Sequence, residues 1–189
     1  SGINLSLQTF DIYIDVDPGT GRGARRLLEG RNAALPEGYG WDYAVWVEGW
    51  HQKVLRPDQA GRPVELPGTP VKVIVNAAKR TVVVRVARQL FGNDPDPASW
   101  SYVGLLLSQE GYPSAGVRRV RDVKPEAEQW RIGGGPTDTN HTRILDVAWP
   151  PGQKPTQEEF LGDYPPSQQK NLDLLGPDEL PSVPMVRAP

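Results

Sequence analysis

Between Leu5 and Asp17 the chain alternates. Phe10, Ile12, Ile14 and Val16 project to one side of an extended backbone, and Asp11, Tyr13, Asp15 and Asp17 to the other. A period of two is a strand signature, and it predicts one face buried and one face polar. Trp41–Trp50 repeats it, with Trp41, Tyr43, Val45 and Val47 against Asp42, Ala44, Trp46, Glu48 and Trp50. Val71–Val75 and Thr81–Ala87 are valine-rich runs separated by Asn76–Arg80, which reads as a hairpin. Ser99–Ser108 is a further strand, and Val117–Val123 and Arg143–Val147 are weaker ones. Twenty glycines and twenty prolines among 189 residues disfavour a helical bundle and favour short strands joined by turns. The expected fold is all-β, an antiparallel β-sandwich. A core strand that opens so close to residue one needs neighbours on both sides. Strands preceding it are therefore expected to be missing from this chain or supplied by another.

Composition removes several function classes. Lys and Arg number 21 against 23 Asp and Glu, so no bulk positive charge exists to hold nucleic acid or a membrane surface. Cysteine is absent, which excludes disulfides, thiolate metal sites and thiol nucleophiles. No run of about 18 apolar residues is present to form a spanning helix.

The organisation read from the sequence is one module over residues 1–164 and a Pro-rich C-terminal tail or linker over 165–189, lying on its own domain or leading to another. Thr156–Leu161 carries a short helix signal, with Thr156 as N-cap and Glu159 completing a capping box.

Chemistry-bearing patterns are few. Gly19-Thr-Gly21-Arg-Gly23-Ala24 follows a strand, but acidic residues lead into it and no dependable helix follows, so it reads as a turn and not a dinucleotide fingerprint. Asp15 and Asp17 share a strand face and are hard oxygen ligands; with Asn32 they are the candidate calcium ligands, weighed against an Asp-rich edge paired with arginines. His51 and His141 have no spacing that suggests a triad or a metal site. Asp42 and Glu48 lie ~20 Å apart along an extended strand, too far for a glycosidase pair. Trp46 and Trp50 project with Asp42 and Glu48 on the more polar face, and Gln129-Trp130-Arg131 precedes a triple-glycine loop. A pyranose stacks its C–H face on an indole and hydrogen-bonds to neighbouring polar groups. Trp46, Trp50, Trp130, Arg131 and Glu48 are thus the candidate sugar-contacting residues.

Leu7–Asp15, Gly30-Arg-Asn-Ala33, Trp41-Asp-Tyr-Ala44 with Gly49-Trp50, Trp100-Ser-Tyr102, Leu107–Gly111, Val117–Val120, Gln129–Arg131 with Gly133–Gly135, and Ile144-Leu-Asp146 occur in order. Together they resemble the C-terminal binding module of glucodextranase, from residue 5 to about Tyr164. Related modules occur on amylopullulanase-type and S-layer-associated proteins. The resemblance implies a DOMON-like sandwich of jelly-roll type, similar to family-nine carbohydrate-binding modules. It implies no catalysis, further strands upstream of Leu7, and calcium that in some relatives steadies loops. Haem, which other DOMON-like proteins hold, is disfavoured because the only Met is Met185 in the tail. The expected function is a non-catalytic carbohydrate-binding module of a secreted or cell-surface α-glucan-acting protein. The expected partners are a polysaccharide or oligosaccharide and a sister domain, with no nucleic acid and no membrane span. The alternative is a structural cell-surface or S-layer interaction module without sugar affinity.

Overall fold

The computed structural model describes residues 5–68, 71–92, 96–109, 120–121, 123, 125–133, 142–162 and 172–188. Nine strands and one helix of six residues occur among them: β1 Gln8–Asp15, β2 Tyr43–Val47, β3 Gln52–Pro57, β4 Pro63–Glu65, β5 Val71–Asn76, β6 Thr81–Val86, β7 Ser101–Ser108, β8 Ile144–Val147, β9 Val186–Arg187 and α1 Gln157–Gly162. Seven strands form one antiparallel sheet in the order β4-β3-β2-β1-β7-β8, with β9 added to the same outer edge of β7 as β8. β5 and β6 form a separate two-stranded sheet. The fold is an all-β antiparallel sandwich with one large and one small layer. His141 and most of the Val117–Val123 segment lie outside the described residues; Val120 bridges Gln109.

The strands form where alternation and β-branched content demand them. The helix starts where the sequence places it: the Glu159 N–H donates to Thr156 Oγ1 at 3.2 Å, and the Thr156 N–H donates to the Glu159 carboxylate at 2.6 Å. β1 has both neighbours inside this chain, β2 with Ile12 opposite Val45 and β7 with Ile12 opposite Gly104. The inference from unpaired edges that its neighbours come from elsewhere is therefore corrected.

The expectation of one buried and one polar face is also corrected, because the main sheet is covered on both sides. Tyr13, Ala44, Trp46, Leu55, Val103, Leu105 and Leu107 pack with Leu27, Leu28, Leu35, Trp41 and Val183 in one core. Ile14, Val45, Val47, Val54 and Trp100 pack in a second, with the inward valines of β5 and β6 against it. The covering layer of the first core is irregular chain, the segment from Ala24 to Trp41 and the C-terminal stretch. That stretch is tied down by polar contacts. The Arg26 guanidinium donates to the carbonyls of Leu172 at 2.5 Å and Leu175 at 2.7 Å, and the Val183 N–H donates to the Ala34 carbonyl at 2.8 Å.

Irregular chain needs a fixed anchor, and Arg31 supplies it. Gly30 and Asn32, at φ 81° and 55°, turn the backbone left-handed on either side of it. The Arg31 guanidinium then reaches Asp11 of β1 with two bonds, Nε to Oδ2 at 2.7 Å and Nη2 to Oδ1 at 3.0 Å, both side chains fully buried. The Tyr13 hydroxyl donates to Asp11 at 3.0 Å and accepts from the Leu28 N–H at 3.1 Å. Burial, together with the nearby Asp11 charge, pushes the Tyr13 phenol well above its usual range, so it stays protonated and remains a donor. A buried pair with every group satisfied holds one arrangement, and removing one partner strands the other charge in the core. Asp11→Ala is expected to destabilise the fold by about 3–5 kcal/mol, and Tyr13→Phe by about 1 kcal/mol. Urea unfolding checks both; an Asp11→Ala loss under 1 kcal/mol would show that the pair is not the anchor.

Candidate functional site

The six tryptophans divide by exposure. Trp41 and Trp100 are core residues, and Trp149 is half-buried with its ring centroid 5.1 Å from that of Phe160. Trp46 is 2 % exposed, whereas Trp50 is 51 % and Trp130 59 % exposed. Trp46 and Glu48 are therefore withdrawn as sugar contacts. Trp46 lies opposite Asp11 in the β1–β2 register, on the face that the Arg31 segment covers. The Arg31 guanidinium stands 5.9 Å and Lys53 Nζ 6.0 Å from its ring centroid. Glu48 is sealed at the end of the same strand, with His51 Nε2 3.9 Å from its carboxylate. A face that sequence alternation marks as polar holds a polar core here.

The two exposed indoles sit at the tips of tight turns. Trp50 follows Gly49 in the β2–β3 turn, where the Glu48 N–H donates to the His51 carbonyl at 2.8 Å. Gly49 is needed there, since a Cβ would stand 2.3 Å from the Leu5 carbonyl oxygen. Trp130 is the second central residue of a turn closed by Glu128 and Arg131, whose backbones exchange hydrogen bonds of 3.3 and 3.0 Å. Its φ is 68°, a position that normally takes Gly or Asn. Arg131 Nη1 pairs with the Glu128 carboxylate at 3.0 Å across that turn. Trp50, Trp130 and Arg131 are thus residues of two separate turns.

An acidic cluster lies elsewhere. Carboxylate oxygens of Asp15, Asp17 and Asp42 lie within 4.8 Å of one another. Asp15 is buried and accepts from the N–H groups of Asp17 at 3.1 Å and Gly40 at 3.2 Å. Asp42 accepts from the Val16 N–H at 2.9 Å, and Asp17 pairs with the Arg22 guanidinium. The glycine run packs beside this cluster: Gly19 and Gly21 both donate to the Gly38 carbonyl, and a Cβ on Gly40 would collide with the Arg22 carbonyl oxygen. No helix follows Gly23, so the turn reading holds. Asn32 belongs instead to the Arg31 turn, beside Asp11, which is ~13 Å along β1 from Asp15. The member that the sequence reading missed is Asp42. The signal was the pairing of strands around it: its N–H donates to the Ile14 carbonyl at 2.8 Å, next to Asp15.

These three carboxylates are the residues that could hold a hard cation, which takes oxygen ligands. Beside them opens a groove of about 620 Å³ whose lining includes Asp42, Arg56, Asp58 and Gln59 and no aromatic ring. It offers hydrogen bonds but no stacking plane. Burial first, and then neighbouring carboxylate charge, raises the pKa of Asp42; burial outweighs two N–H bonds in raising that of Asp15. Raised folded-state values mean that the native state holds these protons more tightly than the unfolded chain. The resulting stability is complete below the ordinary carboxylate range and is lost as pH climbs through the raised values. Asp42→Asn in chelator-treated protein is therefore expected to raise Tm at pH 7 by about 2–4 °C, with the gain shrinking toward pH 4. Calorimetry over that range checks it; a lower Tm at pH 7 would mean that the charge on Asp42 is compensated.

No curated protein matches the chain. Among family models, the one described as the C-terminal binding-module, SLH-like, of glucodextranase matches residues 1–175. With nearly the whole chain aligned and an all-β sandwich to carry the motifs, the protein belongs to the family of glucodextranase C-terminal binding modules.

Proposed function

We propose that this protein is a non-catalytic carbohydrate-binding module of a secreted or cell-surface α-glucan-acting protein, and that it stacks pyranose rings on Trp130 and Trp50. The observation that carries this reading is Trp130. A large apolar ring stands 59 % exposed on a residue whose left-handed backbone costs an L-amino acid about 1–2 kcal/mol. Neither its own hydration nor the turn favours Trp there, and strain held at an exposed aromatic residue points to function. Trp50 repeats the display at a second turn, so two rings can engage separate units of one polymer. Binding of that kind gains from linkage more than from the strength of either contact. Arg131 beside Trp130 supplies N–H donors for hydroxyls at the ring's edge.

A hard cation at Asp15, Asp17 and Asp42 is the second part of the proposal. It would neutralise three clustered acids and lock the Gly19–Gly23 turn against Gly38–Gly40. Millimolar Ca²⁺ is then expected to raise the Tm of the parent protein and leave Asp42→Asn unmoved. A parent Tm equal in Ca²⁺ and in chelator removes the cation from the account.

Calorimetric titration with isomalto- and malto-oligosaccharides tests the sugar reading. Trp130→Ala and Trp50→Ala are each expected to weaken binding about tenfold or more, as loss of an aromatic anchor does. Trp130→Gly separates function from fold: it relieves the left-handed strain, so it should be at least as stable as the parent while losing the same affinity. An affinity untouched by Trp130→Gly would exclude that ring. No response to any glucan from folded protein would favour the second reading, an interaction module, which the open β5–β6 hairpin supports.

A further inference from the structure

The small layer of the sandwich is unfinished. β5 and β6 pair only with each other among the described residues, so both outer edges present unpaired backbone groups. Val71, Val73, Val75, Val82, Val84 and Val86 face the main sheet, yet all of them remain half-exposed. The main sheet below is incompletely covered too: Phe10, Ile12 and Leu106 are half-buried, while their neighbours on the opposite face, Asp11 and Leu105, are sealed. A groove of about 490 Å³ runs along the free edge of β6, floored by Phe10, Ile12 and Leu106 and walled by Val82 and Val84. Asp146 on its far side is already occupied, accepting from the Val147 N–H and the Gln157 amide.

Charge on the hairpin is one-sided. Residues 71–86 include Lys72, Lys79, Arg80 and Arg85 and no acid, in a chain of net charge −2. None of these four side chains forms an ion pair with a described carboxylate. Lys72 lies directly opposite Arg85 across the ladder, a like-charge pair that destabilises the hairpin on its own. Between that pair and the turn, Ile74 and Val83 face each other on the outer surface, 37 % and 43 % exposed. Cations on an edge can serve merely to keep edges from pairing. That role does not account for a groove of half-exposed apolar side chains beneath the same edge.

We propose that the free edge of β6 accepts an added β-strand from another polypeptide segment, with aliphatic residues at alternate positions and Asp or Glu between them. Strand addition uses main-chain hydrogen bonds for affinity and alternate side chains for selection. The aliphatic residues would face inward over Phe10, Ile12 and Leu106, and the acids would lie outward beside Arg85, with Arg80 lining the turn end of the groove. Such a strand finishes the small layer, satisfies the edge and relieves the Lys72–Arg85 repulsion together. This inference is independent of the sugar reading, since the groove contains neither exposed indole.

The test uses the full chain, isotope-labelled for NMR. The probes are a blocked peptide alternating Glu and Val, matched in length to β6, its Lys and Val counterpart, and the acidic peptide N-methylated at alternate residues. The acidic peptide should bind saturably, slow amide exchange over Thr81–Val86 and shift the Phe10, Ile12 and Leu106 signals. Arg85→Glu should weaken it about tenfold, and N-methylation as much, while the basic peptide should not compete. Arg85→Glu turns a like-charge pair into an opposite one, so the variant is expected to fold at least as well as the parent, which circular dichroism confirms. Four results would overturn the proposal: no binding by the acidic peptide, equal binding by the basic or methylated one, binding of polygalacturonate at these cations with β6 amides unprotected, or self-association through β6 in ultracentrifugation.

Discussion

One buried ion pair organises the larger half of this protein. Asp11 on the central strand and Arg31 on an irregular segment meet with both side chains fully buried, and two charges taken out of water persist only where hydrogen bonds surround them. Here the pair is bidentate, Tyr13 supplies a further donor to Asp11, and the Glu29 carbonyl accepts from Arg31 Nη1 at 3.0 Å. Once it forms, the Ala24–Trp41 chain can lie only one way across the sheet. Trp41 then closes over Tyr13, their ring centroids 5.9 Å apart and edge-on, and its Nε1–H donates to the Arg26 carbonyl at 2.7 Å. Arg26 in turn holds the C-terminal stretch. The order of dependence runs from one carboxylate to most of a layer.

Much of this was legible in the sequence, and the failures share a cause. Period two located β1, β2, β5, β6, β7 and β8 because each strand alternates or is dense in valine. β3 and β4 escaped because Gln52–Pro57 and Pro63–Glu65 carry little alternation and are held by their neighbours, Ala44 opposite Leu55 and Leu55 opposite Glu65. Alternation reports which side chains share a face, not which face meets water. For β1 the two answers are inverted: the aspartate face is sealed and part of the apolar face is half open. Trp46 and Glu48 were misread as surface groups for that reason. Trp50 shared that reading by alternation but lies beyond the strand in the β2–β3 turn and is exposed, and Trp130, read as loop-borne from the glycine run after it, is exposed too. Asp42 was missed because its neighbours come from the pairing of strands 26 residues apart.

The family motifs hold both buried and exposed indoles. Gly30-Arg-Asn-Ala33 is the turn that delivers Arg31, and Trp41-Asp-Tyr-Ala44 supplies the ring that packs edge-on against Tyr13 and one of the three clustered acids. Those residues build the scaffold. The exposed rings occupy turns where the scaffold asks for almost nothing, and Trp130 stands where it asks for something else. Gly49-Trp50 and Gln129–Arg131 stand among the same motifs, so the motifs take in the two display turns as well as the scaffold.

The edge of β7 has a mechanical meaning. β1 and β9 are both antiparallel to β7, one on each side of it, and so run parallel to each other. Leu5 leads into β1 beside Ser108, whereas the chain leaves β9 beside Ser101, at the far end of the same strand. Tension between these two points would slide both ladders along β7 and load their hydrogen bonds together, instead of peeling them one by one. A module pulled from both ends by an attached polymer or neighbouring domain would resist in shear, the stronger of the two geometries for a sheet.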